Sequence, residues 1–122
     1  MKIKEVETYT ATIYIGTMAN PGSRYKKSLM PSTAFKGREF CQKYCDEIGF
    51  CVSFTETEFI YSGDRERGLI IGIINYPRFP KSKADIYSHA LVIASELKRI
   101  YKQKRCSIVF PDTTIMLGDD DG

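Results

Sequence analysis

A chain of 122 residues, 43% apolar and 27% charged, suits one domain around one hydrophobic core and excludes the low hydrophobicity that keeps disordered chains from collapsing. Its net charge of +3 is too small to serve as a nucleic-acid signature. Met1–Val6 has no apolar run after its basic residues, so it does not read as a secretory signal, and no stretch reaches the roughly 18 apolar residues of a membrane span; the expected compartment is the cytoplasm.

In chain order, Thr8–Gly16 is rich in β-branched and aromatic residues and closed by glycine, which predicts a strand. Thr17–Thr33, with Asn20-Pro21-Gly22-Ser23, Arg24, Tyr25, Lys26, Lys27 and Pro31, predicts a long connection. Connections of that length in small domains are commonly functional or mobile. A helix is expected from Ser32 or Thr33 to Gly49, with Phe40, Cys41, Tyr44, Cys45 and Ile48 as its apolar stripe. Phe50–Tyr61 alternates as a strand, but Val52 and Phe54 carry one phase and Phe59 and Tyr61 the other, so a bulge or bend is expected near Glu56.

Ser62–Gly68 is polar and glycine-bounded and predicts a hairpin loop. Leu69-Ile70-Ile71-Gly72-Ile73-Ile74 is apolar in both phases, which predicts an interior strand covered on both faces. Asn75–Pro80, with two prolines, ends it. Ser82-Lys83-Ala84-Asp85 starts a second helix whose stripe is Ile86, Ala90, Ile93, Ala94, Leu97, Ile100 and Tyr101, and whose basic end suits the helix dipole. Cys106–Phe110 is a short last strand. Thr113–Leu117 adds an edge strand, pairs with a neighbouring subunit or folds over the sheet, and residues 118–122 form a loose acidic tail after a single domain of residues 1–117.

This β-α-β-β-α-β order resembles the ferredoxin-like sandwich: an α+β fold with an antiparallel sheet and two helices on one face. The first and third strands are expected side by side and parallel in its middle. Both long polar connections would then leave one edge of the sheet and lead into helix N-termini, which favour anions. Arg24, Lys26, Lys27, Lys36, Arg38, Arg78, Lys81 and Lys83 would crowd that edge, and Tyr25, Tyr76 and Phe79 would offer stacking surfaces. The expected ligand-binding set is Arg24, Tyr25, Lys26, Lys27, Asn75, Tyr76, Arg78, Phe79 and Lys83, holding an anionic, nucleotide-like molecule. Tyr76 and Phe79 clamping the proline turn is the alternative. Ile70, Gly72 and Ile74 form an apolar strip suited to a homo-oligomer contact.

Cys41, Cys45, Cys51 and Cys106 are expected to be reduced. With one histidine and no CxxC pair they read as small buried hydrophobes, so no metal and no cofactor is expected. His89 stands alone at the border of a helix stripe, and Glu58, Asp64 and Glu66 read as a solvated charged turn, so no catalytic residue is assigned. The expected function is a non-enzymatic, oligomeric ligand-binding or regulatory protein. In its order of elements it resembles small ferredoxin-like regulators, including the PII-like proteins. One alternative is a protein-interaction or inhibitor module acting through the sheet face or hairpin. The other is RNA binding: Ile13-Tyr14-Ile15-Gly16-Thr17-Met18 resembles the first-strand motif of an RNA-recognition domain, with Tyr14 as the stacking residue.

Overall fold

The computed structural model describes residues 1–18 and 34–119. The elements run β1 (Thr10–Gly16), α1 (Ala34–Ile48), β2 (Val52–Tyr61), β3 (Asp64–Ile74), α2 (Lys83–Ile100), β4 (Arg105–Val109) and β5 (Thr114–Gly118). They build an α+β domain with one five-stranded sheet in the order β2-β3-β1-β4-β5, every neighbouring pair antiparallel.

One face of the sheet makes the core. Alternation along β1 buries Ala11, Ile13 and Ile15, and the same phase buries Leu69, Ile71 and Ile73 on β3 and Cys106 and Ile108 on β4. Against them pack Ile86, Ala90, Ile93, Ala94 and Leu97 of α2, at the helical spacing expected, and Ala34, Gly37 and Cys41 of α1. Each fully buried isoleucine or leucine contributes about 1.5–3 kcal/mol. Ser82 caps α2 by accepting the Asp85 N–H at 3.1 Å, as the capping pattern predicts. Ile48, expected in the α1 stripe, is instead 44% exposed.

β1 and β3 are adjacent, as expected, but antiparallel: Thr10 lies opposite Ile74 and Gly16 opposite Gly68. The reason is parity. The hairpin between β2 and β3 reverses the chain once more than a simple crossover does, so β3 returns against β1. The carboxyl ends of β1 and β3 therefore lie at opposite ends of the sheet.

That hairpin is tighter than the predicted seven-residue loop. Tyr61 pairs with Asp64, leaving Ser62 and Gly63, and Gly63 takes φ +87°, which glycine adopts without steric cost. Asp64–Arg67 are polar yet extended, because they pair with Glu58–Tyr61 beyond the reach of the helices. The β2–β3 register is continuous from Val52 to Tyr61, so the bulge expected near Glu56 is absent. The change of phase reflects a change of face: Val52 and Phe54 point to the helices, whereas Phe59 and Tyr61 lie on the open side.

β5 is the edge strand. Ile115 and Leu117 continue the helix-side face opposite Ile108 and Cys106, so this segment does not fold over the other face. Gly118 pairs with Arg105, the Asp119 N–H donates to the Lys104 carbonyl, and Lys98 pairs with the Asp119 carboxylate, so Gly118 and Asp119 are tied to β4 and α2. Among the described residues nothing covers the open face, on which Ile70 and Gly72 are half-buried and Ile74 is exposed; the coverage of β3 on both faces is not seen. No helix among the described residues is long and apolar enough to cross a membrane.

Candidate functional site

The concavity of interest lies on the open face at the carboxyl end of β1. Tyr14 and Gly16 point to it from β1, Phe59 from β2, Glu66 from β3, Arg105 and Ser107 from β4, and Lys102–Lys104 close it from the end of α2. Its volume is about 490 Å³, within the range of small-molecule sites.

Two glycines shape it. A Cβ on Gly68 would stand 2.2 Å from the Phe59 ring and 2.6 Å from the Ile15 carbonyl, so only glycine lets Phe59 lie across the sheet. There its ring reaches 6.4 Å from that of Tyr14, tilted by 59°. A Cβ on Gly16 would stand 3.1 Å from both Glu66 Oε2 and Gln103 Oε1. The bare backbone at Gly16 thus admits a carboxylate and an amide oxygen side by side. Gln103 is held by its own donor, Nε2, which donates to the Met18 carbonyl at 2.8 Å and the Tyr101 carbonyl at 3.1 Å.

The cationic wall comes from the way α2 ends. Lys102 N–H donates to Arg99 O and Gln103 N–H to Lys98 O, the paired bonds of a Schellman cap. The position that normally holds glycine is Lys102, at φ +52°, the one non-glycine residue with positive φ among the described residues. This puts Lys102, Gln103, Lys104 and Arg105 in succession along the rim, with Glu66 as the carboxylate across from them.

None of the described ligand-binding residues expected from the sequence lines this pocket. Arg24, Tyr25, Lys26 and Lys27 lie outside the described residues. Asn75, Tyr76, Arg78, Phe79 and Lys83 follow β3 and sit at the opposite end of the sheet from Gly16, so the shared edge is corrected. Their contacts hold the loop. Asn75 donates to Glu7 O at 2.7 Å and accepts the Lys81 N–H at 2.9 Å. Tyr76 packs on Phe79, whose N–H donates to the Tyr76 carbonyl at 2.8 Å. Arg78 stacks on Phe79, and Lys83 pairs with Asp112 over the Tyr9 ring.

His89 is not in the pocket. Its Nδ1 shares a hydrogen bond of 2.6 Å with Tyr44 Oη, its ring packs on Phe50, and burial followed by the nearby Lys81 pushes its pKa below the ordinary value. No cluster able to hold a metal occurs among the described residues. Sequence reasoning missed Glu66, Phe59, Gln103 and Lys102 as one group. Glu66 read as part of a turn, because Asp64-Arg65-Glu66-Arg67 is a polar run without apolar alternation.

No family model and no curated protein matches this sequence. Two solved structures resemble it over almost the whole chain. One is a phage SAM lyase in complex with S-methyl-5'-thioadenosine, with 16% identity and a TM-score of 0.72, covering 100% of this chain and 98% of that one. The other is a phage SAM lyase in the apo state, with 16% identity and a TM-score of 0.64, covering 92% and 90%. At this identity the likeness shows the fold. Because the structures it resembles are those of an enzyme, the expectation of a non-enzymatic ligand-binding or regulatory protein is overturned.

Proposed function

We propose that this protein is a small enzyme that cleaves an adenosyl sulfonium of the S-adenosylmethionine type, releasing the adenosyl thioether. The observation that carries this reading is the open-face pocket, whose groups match such a substrate part for part. Tyr14 and Phe59 offer ring faces to a planar base and to a sulfonium cation. Glu66 suits the substrate ammonium, and Lys102, Lys104 and Arg105 suit its carboxylate. The likeness to a lyase bound to S-methyl-5'-thioadenosine supports the same reading. Chemically, the carboxylate of the substrate's amino-acid arm attacks the carbon bonded to sulfur as the C–S bond breaks with both electrons passing to sulfur, so a lactone and a neutral thioether form and the leaving group needs no proton donor. What the protein must supply is orientation and a site from which water is displaced.

Two structural readings accompany it. The sheet order β4-β1-β3-β2 with both helices on one face fits a ferredoxin-like sandwich extended by β5. The strip Ile70, Gly72 and Ile74 is proposed as the contact with a second copy, which the native mass of the purified protein tests.

The deciding experiment incubates purified protein with S-adenosylmethionine and follows S-methyl-5'-thioadenosine by chromatography and mass spectrometry. Formation faster than the uncatalysed background, lost in Glu66→Gln and Tyr14→Ala, supports the proposal. Background rates from folded wild-type protein across pH 6 to 9 (a span of about three units around neutrality) reject it.

A further inference from the structure

The end of the sheet away from the pocket holds an arrangement the proposed reaction does not use. Where α1 stops, the Cys45 carbonyl accepts both the Gly49 N–H at 2.9 Å and the Phe50 N–H at 3.2 Å, and Gly49 takes φ +73°. The chain reverses within these residues and brings Cys51 back beside Cys45. Cys41, Cys45 and Cys51 line one cavity of about 240 Å³ together with Arg38, Phe50 and Phe54. The Val52 N–H donates to the Cys45 sulfur, which ties that thiol to the residue following Cys51.

The three thiols differ in access. Cys51 is exposed, Cys45 half-buried and Cys41 buried. Burial pushes Cys41 up to about 12, and it raises Cys45 as well, with the neighbouring Cys51 as the next cause. Cys106, buried on β4, is also pushed up to about 12 and does not line this cavity.

We propose that Cys51 and Cys45 are a thiol pair that closes to an intramolecular disulfide by exchange with a small-molecule disulfide of the glutathione class. The exposed Cys51 thiolate attacks one sulfur of the oxidant, forming a mixed disulfide and expelling one glutathione thiolate. The Cys45 thiolate then attacks the Cys51 sulfur, the mixed disulfide breaks, and the second glutathione leaves. The two protons lost by the protein thiols are taken up by the two glutathione thiolates, and the oxidant is reduced by the two electrons the cysteines give up. The bond staples the end of α1 to the start of β2. It lies at the far end of the sheet from Gly16, so closure raises the denaturation midpoint and leaves the pocket untouched.

The test treats the full-length folded protein with oxidised glutathione, blocks remaining thiols with iodoacetamide, and reads intact mass and a non-reducing peptide map. The expected product is lighter by two hydrogens and carries a Cys45–Cys51 cross-link, while Cys41 and Cys106 are alkylated only after unfolding. Cys45→Ser should stop at a glutathione adduct on Cys51, and Cys51→Ser should give neither product. A wild-type protein that stops at the mixed disulfide, links Cys41 instead, joins two chains or does not react overturns the proposal, and the wild-type map decides this whether or not the variants fold.

Discussion

Tyr101→Phe tests the packing that seats both helices on the sheet. Tyr101 is 4% exposed, and its hydroxyl accepts the Gly37 N–H at 2.8 Å, joining the end of α2 to the first turn of α1. Removing the oxygen leaves a buried donor without this acceptor, which costs about 1–3 kcal/mol. For a domain of this size each kcal/mol moves Tm by roughly 3–6 °C, so a fall of at least about 3 °C is expected. Gly37→Ala probes the same contact from the other side. Its Cβ would lie 2.8 Å from Tyr101 Oη and 2.8 Å from Leu69 Cδ1. Overpacking of about 1–3 kcal/mol there exceeds the gain of up to about 1 kcal/mol from alanine's helix propensity. Because the phenylalanine ring lacks the clashing oxygen, the alanine should cost less in the Tyr101→Phe background than in wild type, with a coupling of about 0.5–3 kcal/mol. Urea unfolding followed by far-UV circular dichroism suits a chain without tryptophan. A Tyr101→Phe midpoint equal to wild type, or additive costs in the double variant, would refute the reasoning.

Gly16→Val should fill the pocket, its Cβ standing 3.1 Å from Glu66 Oε2 and Gln103 Oε1, so thioether formation is lost; retained activity would remove Gly16 from the site. Lys102→Gly relieves the left-handed backbone at the end of α2 and should stabilise by about 1 kcal/mol, read as a higher urea midpoint. His89 has a folded pKa below its ordinary 6.5, so the unfolded chain binds the proton first as pH falls. Its contribution therefore declines from pH 6.5 down through the folded pKa and is flat above 6.5. His89→Gln should flatten that limb of the stability profile.

How much of this protein could be read without coordinates follows the distinction between local and non-local information. The β1 stripe Ala11, Ile13 and Ile15 and the α2 face from Ile86 to Leu97 are written as periods of two and near 3.6, and each is buried as its period requires, whereas β3 is apolar in both phases and its buried set Leu69, Ile71 and Ile73 carries no period in the sequence. The capping serine and the order of the elements are local in the same way. The direction of β3 against β1 was also within reach, since the hairpin at Ser62-Gly63 sets the parity; treating the two strands as parallel put their carboxyl ends on one edge, whereas Gly16 and Ile74 lie at opposite ends of the sheet. The polar run Asp64–Arg67 hid a strand, because its partners on β2 lie past the helices, where alternation has no core to answer to.

What only the tertiary structure decided is the pocket. Tyr14, Phe59, Glu66 and Gln103 come from three strands and a helix end, and no spacing along the chain announces that they converge. Their meeting depends on register: Gly16 opposite Gly68 aligns two residues without side chains, and that gap admits the Phe59 ring, the Glu66 carboxylate and the Gln103 amide together. A sequence specifies which side chains alternate and which residues can turn. Which of them share a space is settled by strand pairing, whose energy lies in contacts between residues dozens of positions apart.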